Sequence, residues 1–172
     1  MYTNTDQFIG AYTMESATTQ RVLDALTDES LKIPKSPGDI STADLAWHIA
    51  NSGSHMLNHE GANLPEGGWT APEGVTAAQI AARFKEITMG VLAFAESKLK
   101  GVDLSREANW FGHVLPLGVW LNVIVSHEAH HRGQISVLMR QAGITVPSIY
   151  GPNKEETEVM MAQMAAGEGG AH

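Results

Sequence analysis

The sequence predicts an all-α fold, specifically an antiparallel four-helix bundle with a short C-terminal helix. Three observations carry that prediction. Four long stretches space their apolar residues at helical intervals, cap and stop residues bound most of them, and strand-like alternation is scarce. With 172 residues the chain is long enough to bury one core without disulfides, and it reads as a single domain over residues 1–166 followed by a flexible tail at 167–172.

The first helix is expected from Asp6 to Leu26, where Phe8, Tyr12, Val22 and Leu26, with Ala11 and Ala25 between them, form a stripe. Pro34, Pro37 and Gly38 make Leu31 to Asp39 a loop. The second helix starts at Ser41, which with Asp44 resembles a capping box. It places Leu45, His48, Ser52, His55 and His59 on one face and ends near Gly61. Gly61 to Gly74 is rich in Gly and Pro around Trp69, so it is a long loop of the kind that often rims a site. A Thr76 cap opens the third helix, whose stripe of Ile80, Phe84, Ile87, Val91 and Ala95 runs to about Lys100, with Gly101 as the stop.

Residues Val102 to Leu115 are mixed, with a short extended piece expected around Trp110 to Val114. The fourth helix takes Pro116 in its first turn and runs to Ala142, with Gly143 as left-handed cap and Pro147 beyond. Asn153 to Ala165 then suits a short acidic, Met-rich helix whose Met160, Met161 and Met164 could serve an interface.

Composition removes several function classes. The chain contains no cysteine, so it has no catalytic thiol, disulfide framework or Cys-based zinc site. A net charge of -8 argues against nucleic acid as a partner. No basic leader and no membrane-length apolar run is seen, so a cytoplasmic protein with no membrane partner is expected.

Chemistry concentrates in the octet His127-Glu128-Ala129-His130-His131-Arg132-Gly133-Gln134. On a helix, His127 and His131 project from one face within reach of a single ion, and that face continues through Trp120, Ile124, Gln134 and Leu138 toward the apolar interior. Two buried imidazoles are costly without partners. A metal binding both neutral rings removes that cost, and a hydrogen-bonded core pair is the alternative. His48 faces inward on the second helix and is the best third ligand, although a lone core-facing histidine is commonly structural. His55 and His59 lie too far along the same helix to share that ion. His55 is expected to border the pocket and His59 to sit near solvent, while His130 projects roughly 100° from His131 toward the surface.

The octet also contains His-Glu-x-x-His, the zinc-protease signature with Glu128 as general base. The downstream Gly and His of the extended form are replaced by Gln134 and Val137. Glu155 and Glu156 look like a solvated face rather than a further ligand. A protease is therefore disfavoured.

A second resemblance spans nearly the whole chain. Trp47-His48-Ile49 in the second helix, the Gly/Pro/Trp-rich middle, His127-x-x-x-His131-Arg132-Gly133-Gln134 and Val146-Pro-Ser-Ile-Tyr150-Gly-Pro together resemble the DinB/YfiT-like superfamily. The resemblance implies a four-helix bundle with a long crossover, often a homodimer, binding a divalent ion through His48, His127 and His131. Zinc or nickel is expected first, with iron or manganese as alternatives. Some members of that superfamily are S-transferases using bacillithiol, mycothiol or another low-molecular-weight thiol. The leading expectation is thus a metal-dependent transferase activating such a thiol for attack on a small electrophilic substrate. A hydrolase on the same three histidines and a non-enzymatic, metal-stabilised dimeric bundle are the rivals. Around the metal, Tyr12, Glu15, Asn51, His55 and Tyr150 are candidate pocket residues. Glu128 and Arg132 are expected to form an ion pair on a helix flank, Gly133 to permit close helix approach, and Gln134 to hydrogen-bond a ligand or backbone group.

Overall fold

A computed structural model describes residues 1–33 and 40–168 of the chain. The elements run α1 (Thr5–Asp24), α2 (Thr42–Leu57), α3 (Ala77–Phe94), β1 (Glu107–Trp110), β2 (His113–Pro116), α4 (Leu117–Gln141) and α5 (Lys154–Glu168). Each helix start has a local cause. Asn4 accepts the Gln7 backbone N–H at α1, while complete capping boxes form between Ser41 and Asp44 at α2 and between Thr76 and Gln79 at α3. Pro116 stands just ahead of α4, and Gly143 follows it with φ +73°.

Three sequence expectations need adjustment. Leu31 and Lys32, read as loop, belong to a 3-10 turn over Ser30–Lys32, and the rest of that expected loop, residues 34–39, lies outside the described residues. The single extended piece expected near Trp110 to Val114 is a two-stranded antiparallel hairpin, with Trp110 opposite His113. Phe111 (φ +54°) and Gly112 (φ +81°) reverse the chain between them as a tight two-residue turn, which converts one run into two strands. The C-terminal helix reaches Glu168, two residues into the expected tail.

The packing of α1 against α3 and α4, and of α2 against α3 and α4, closes the bundle. Thr5 near the start of α1 bonds the Leu99 carbonyl beyond α3 and Gln20 bonds the Ala81 carbonyl, so α1 and α3 are antiparallel. The hydrogen bond from Trp110 Nε1 to Glu60 Oε1 (2.8 Å) holds the end of α2 beside the entry to α4, so these two are antiparallel as well. In contrast, α2 and α3 run the same way, which obliges residues 58–76 to return along the bundle as the crossover. That return is hydrogen-bonded rather than loose. Leu64 N donates to Asn58 Oδ1 (2.7 Å), Arg83 Nη2 to the Pro65 carbonyl (2.7 Å) and Ala71 N to Asp44 Oδ1 (2.9 Å).

The interior is two apolar clusters rather than one. Val22, Leu23, Leu45, Ile49, Phe84, Ile135 and Leu138 fill one end, and Phe8, Tyr12, Leu57, Val91, Trp110, Leu121 and Ile124 fill the other. Between them, buried Ser16, Thr19, Ser52, Glu128 and Arg132 form a polar belt. This belt lies at the level of the histidines.

Helix α5 is exposed from residue 156 to residue 166 and is tied to the body by Arg140, whose guanidinium makes two bonds to Glu155 (2.6 and 2.8 Å). Among the described residues, no helix is long and apolar enough to cross a membrane.

Candidate metal centre

His48 stands in the second turn of α2, and His127 and His131 stand one turn apart in α4. Since α2 and α4 are antiparallel neighbours, the three rings meet. His127 Nε2 lies 3.3 Å from His48 Nε2 and 3.1 Å from His131 Nε2, and one ligand nitrogen from each residue falls within 4.8 Å of the others. A tetrahedral ion with metal–nitrogen bonds of about 2.05 Å separates its ligand nitrogens by about 3.3 Å. The observed spacing is that of a chelate.

Protonation state fits the same use. His131 Nδ1 lies 2.8 Å from Gln134 Oε1, an acceptor, so Nδ1 carries the proton and Nε2 keeps its lone pair facing the other rings. Burial, and after it the positive charge of neighbouring imidazoles, lowers His48 and His127 from 6.5 to about 4. Both are therefore neutral at physiological pH. Unprotonated ring nitrogens turned toward one another repel in the absence of a shared cation, and a divalent ion resolves that conflict. Among the described residues, no carboxylate and no fourth imidazole joins the group. The protein shell is then three-coordinate, with room for an exogenous ligand.

Beside the histidines lies a cavity of about 220 Å³ lined by His48, Ser52, His55, Met56, Trp69, Phe111 and His127. Trp69 is stacked on His48 (centroids 5.2 Å, 25°) and tilted against His55 (4.7 Å, 38°). The crossover holds it there: His55 Nε2 bonds the Gly67 carbonyl at 2.7 Å, and a side chain at Gly67 would meet Asn51 Oδ1 at 2.5 Å.

The remaining candidates take other positions. His55 lines the cavity, whereas His59 is exposed and packs against Trp110 and Phe111. His130 is exposed with its ring 4.9 Å from that of His131. Asn51 does not line this cavity. It is fully buried, donating to the Trp47 carbonyl (2.8 Å) and accepting from Arg83 Nε (2.8 Å). Tyr12, Glu15 and Tyr150 do not line the cavity either. Gly133 is exposed and a Cβ there would meet nothing within 4 Å, so no helix approaches it.

The largest correction concerns Glu128 and Arg132. They lie not on a flank of α4 but on its buried face, at 0% and 1% exposure, while the histidines occupy the partly buried edge. Nor is Glu128 the hydrogen-bonded partner of Arg132. The guanidinium turns to α1, bonding Glu15 Oε2 (2.5 Å), the Glu15 carbonyl (3.0 Å) and Thr19 Oγ1 (3.0 Å), and Tyr150 Oη closes the knot by donating to Glu15 Oε2 (2.8 Å). A forked contact with α1, one nitrogen on the Glu15 carboxylate and the other on the Glu15 carbonyl and Thr19, outcompetes an i,i+4 pair along one helix.

Glu128 is left without a well-formed hydrogen bond, as is the neighbouring Tyr12 hydroxyl. Burial raises its carboxyl from 4.5 to about 8, against the smaller pull of Tyr12 and Arg132 in the other direction. A carboxyl that is protonated at neutral pH and faces α1 cannot serve as general base beside the histidines, so the protease arrangement fails.

The chain is similar to several known proteins. The DinB family model matches residues 1–165. The uncharacterized protein YrdA of Bacillus subtilis is 32% identical over 156 residues, covering 91% of this chain and 93% of that protein. The crystal structure of a DinB-like protein from Bacillus cereus superposes with a TM-score of 0.77 at 36% identity, covering 87% of this chain and 100% of that one. YfiT from Bacillus subtilis, described as a probable metal-dependent hydrolase with an unusual four-helix bundle topology, shares the fold with a TM-score of 0.63 at 20% identity, covering 82% of this chain and 89% of that one.

Proposed function

The chain belongs to the DinB family, and from that premise we propose that it is a metal-dependent transferase that activates a low-molecular-weight thiol for attack on a small electrophile. The observation that carries this reading is the convergence of three imidazole nitrogens at chelating separation with no fourth protein ligand among the described residues. Histidine nitrogen donors suit zinc or nickel first. A divalent ion held there supplies Lewis acidity, which favours the ionised form of a thiol or water at neutral pH.

The chain's own residues account for the rest. His48, His127 and His131 hold the ion, and Gln134 fixes the tautomer and ring orientation of His131. Trp69 covers one face of His48 and restricts water at that side. Since the sequence has no cysteine, the thiol comes from the co-substrate. Hydrolysis by an activated water is the second reading, supported by the description of YfiT.

Elemental analysis of protein purified without a metal-affinity tag, beside His48→Ala, tests the ion. Stoichiometric metal in the wild type and its loss in the variant is the expected result. Cobalt-substituted protein titrated with bacillithiol, mycothiol and glutathione then separates the two chemistries. A thiol-dependent change in the visible spectrum is expected, and no response to any thiol would move the assignment to hydrolysis.

A further inference from the structure

We propose that the cavity beside the three histidines receives a flat, uncharged, single-ring-sized apolar group of the substrate, and that Trp69 and Phe111 are its specificity-determining residues. As a statement about substrate, this rests on the metal-dependent reading above. Its size argues for a group rather than a whole molecule, because pockets for complete ligands span about 300–1,000 Å³ whereas an apolar cavity of about 150 Å³ takes one benzene. At about 220 Å³ the cavity suits one substituted ring. None of its lining residues is Lys, Arg, Asp or Glu, so beyond reach of an ion on the histidines a phosphate or carboxylate would be desolvated there without a partner. His48 and His127 belong both to this lining and to the three-nitrogen group, which puts an occupant next to the reacting centre.

Two aromatic side chains at this cavity are partly in water, Trp69 at 64% and Phe111 at 51% exposure. Phe111 is held there against its backbone preference. In the two-residue turn between β1 and β2 it has φ +54°, a left-handed conformation for which Asn, Asp or Gly is the favoured residue. An exposed phenyl on strained backbone is explained by a ligand that needs it. One polar handle accompanies the rings. His55 gives its Nε2–H to the Gly67 carbonyl, and its buried Nδ1, an acceptor, has no partner among the described residues. A ring bearing one hydroxyl or N–H satisfies it.

The probe is 4-methylphenol, with 4-methylbenzoate as a charged ring of the same size, titrated into the full chain and followed by the Trp69 indole and Phe111–Gly112 amide NMR signals. Phe111→Asn suits the left-handed conformation, so it keeps the turn while removing the ring. Trp69→Ala removes the other wall. The expected result is saturable binding of 4-methylphenol, weaker by about tenfold or more in each variant, with 4-methylbenzoate weaker by a similar factor. Equal binding by wild type and Phe111→Asn, equal binding of the benzoate, or shifts centred instead on the separate groove between α4 and the segment after it, which Val137 and Tyr150 line, would overturn the assignment. Metal content measured on the same samples keeps the two readings apart. Metal without 4-methylphenol binding refutes the pocket alone, and Phe111-dependent binding in a protein that takes up no metal refutes the metal reading alone.

Discussion

Replacing Glu128 by Gln should flatten the pH dependence of stability on the alkaline side of neutrality. The folded carboxyl ionises near pH 8 against an ordinary value of 4.5. Between those values the folded state holds a proton that the unfolded state has released, so stability falls as pH rises, at up to about 1.4 kcal/mol per pH unit. The two histidines act in the opposite sense. Their folded values lie near 4 against 6.5, so their contribution is complete above pH 6.5 and is lost as pH falls toward 4. From pH 4.5 to 6.5 the effects oppose one another, whereas from pH 6.5 to 8 Glu128 acts alone among these three. Over that window the loss is about 2 kcal/mol, or about 4–8 °C in Tm for a chain of this size. Urea denaturation of metal-free protein at half-unit pH steps measures it. Glu128→Gln, a neutral side chain of the same shape, should be level from pH 6.5 to 8. If the variant declined as steeply as the wild type there, the buried carboxyl would not be the titrating group.

Further outcomes follow from the same geometry. Arg132→Ala strands Glu15 and empties a buried site, so stability should drop by about 3–5 kcal/mol in urea, and Arg132→Lys should recover little because it cannot reach Glu15 and Thr19 together. Proton competition for the bound ion should begin only below about pH 5, not near 6.5 as for free imidazole, because His48 and His127 are already neutral above it; release of metal at pH 6.5 in a competition titration argues against those ligands. Gly67→Ala should cost about 1–3 kcal/mol and weaken 4-methylphenol binding. Asn51 is pinned on both sides and cannot yield, so the crossover must move and take Trp69 with it; unchanged binding would show that the loop gives elsewhere.

Local signals made much of the bundle legible. Capping boxes at Ser41 and Thr76, left-handed glycines at Gly101 and Gly143 and the 3.6-residue apolar stripes are interactions between near neighbours in the chain, and they appear where spacing places them. The hairpin was half visible. Its turn uses Phe-Gly where Asn-Gly would have announced it, and the residue that hid the turn is the one that lines the cavity.

The sequence by itself determined a helical bundle, the absence of a protein thiol, and the three histidines whose i,i+4 spacing and stripe positions put them on inward-tending helix faces. Only the tertiary structure decided which way each face turns. A periodicity rule assigns apolar residues to the core, so it sent His127 and His131 inward and Glu128 and Arg132 to a flank. In the folded chain α1 offers Glu15 and Thr19 to Arg132, and that long-range pairing turns Arg132, with Glu128 one turn before it, inward and leaves the imidazoles at the edge facing α2. The Trp69 wall has the same origin, because it depends on a crossover forced by two helices running in one direction, a relation between elements that no local spacing encodes.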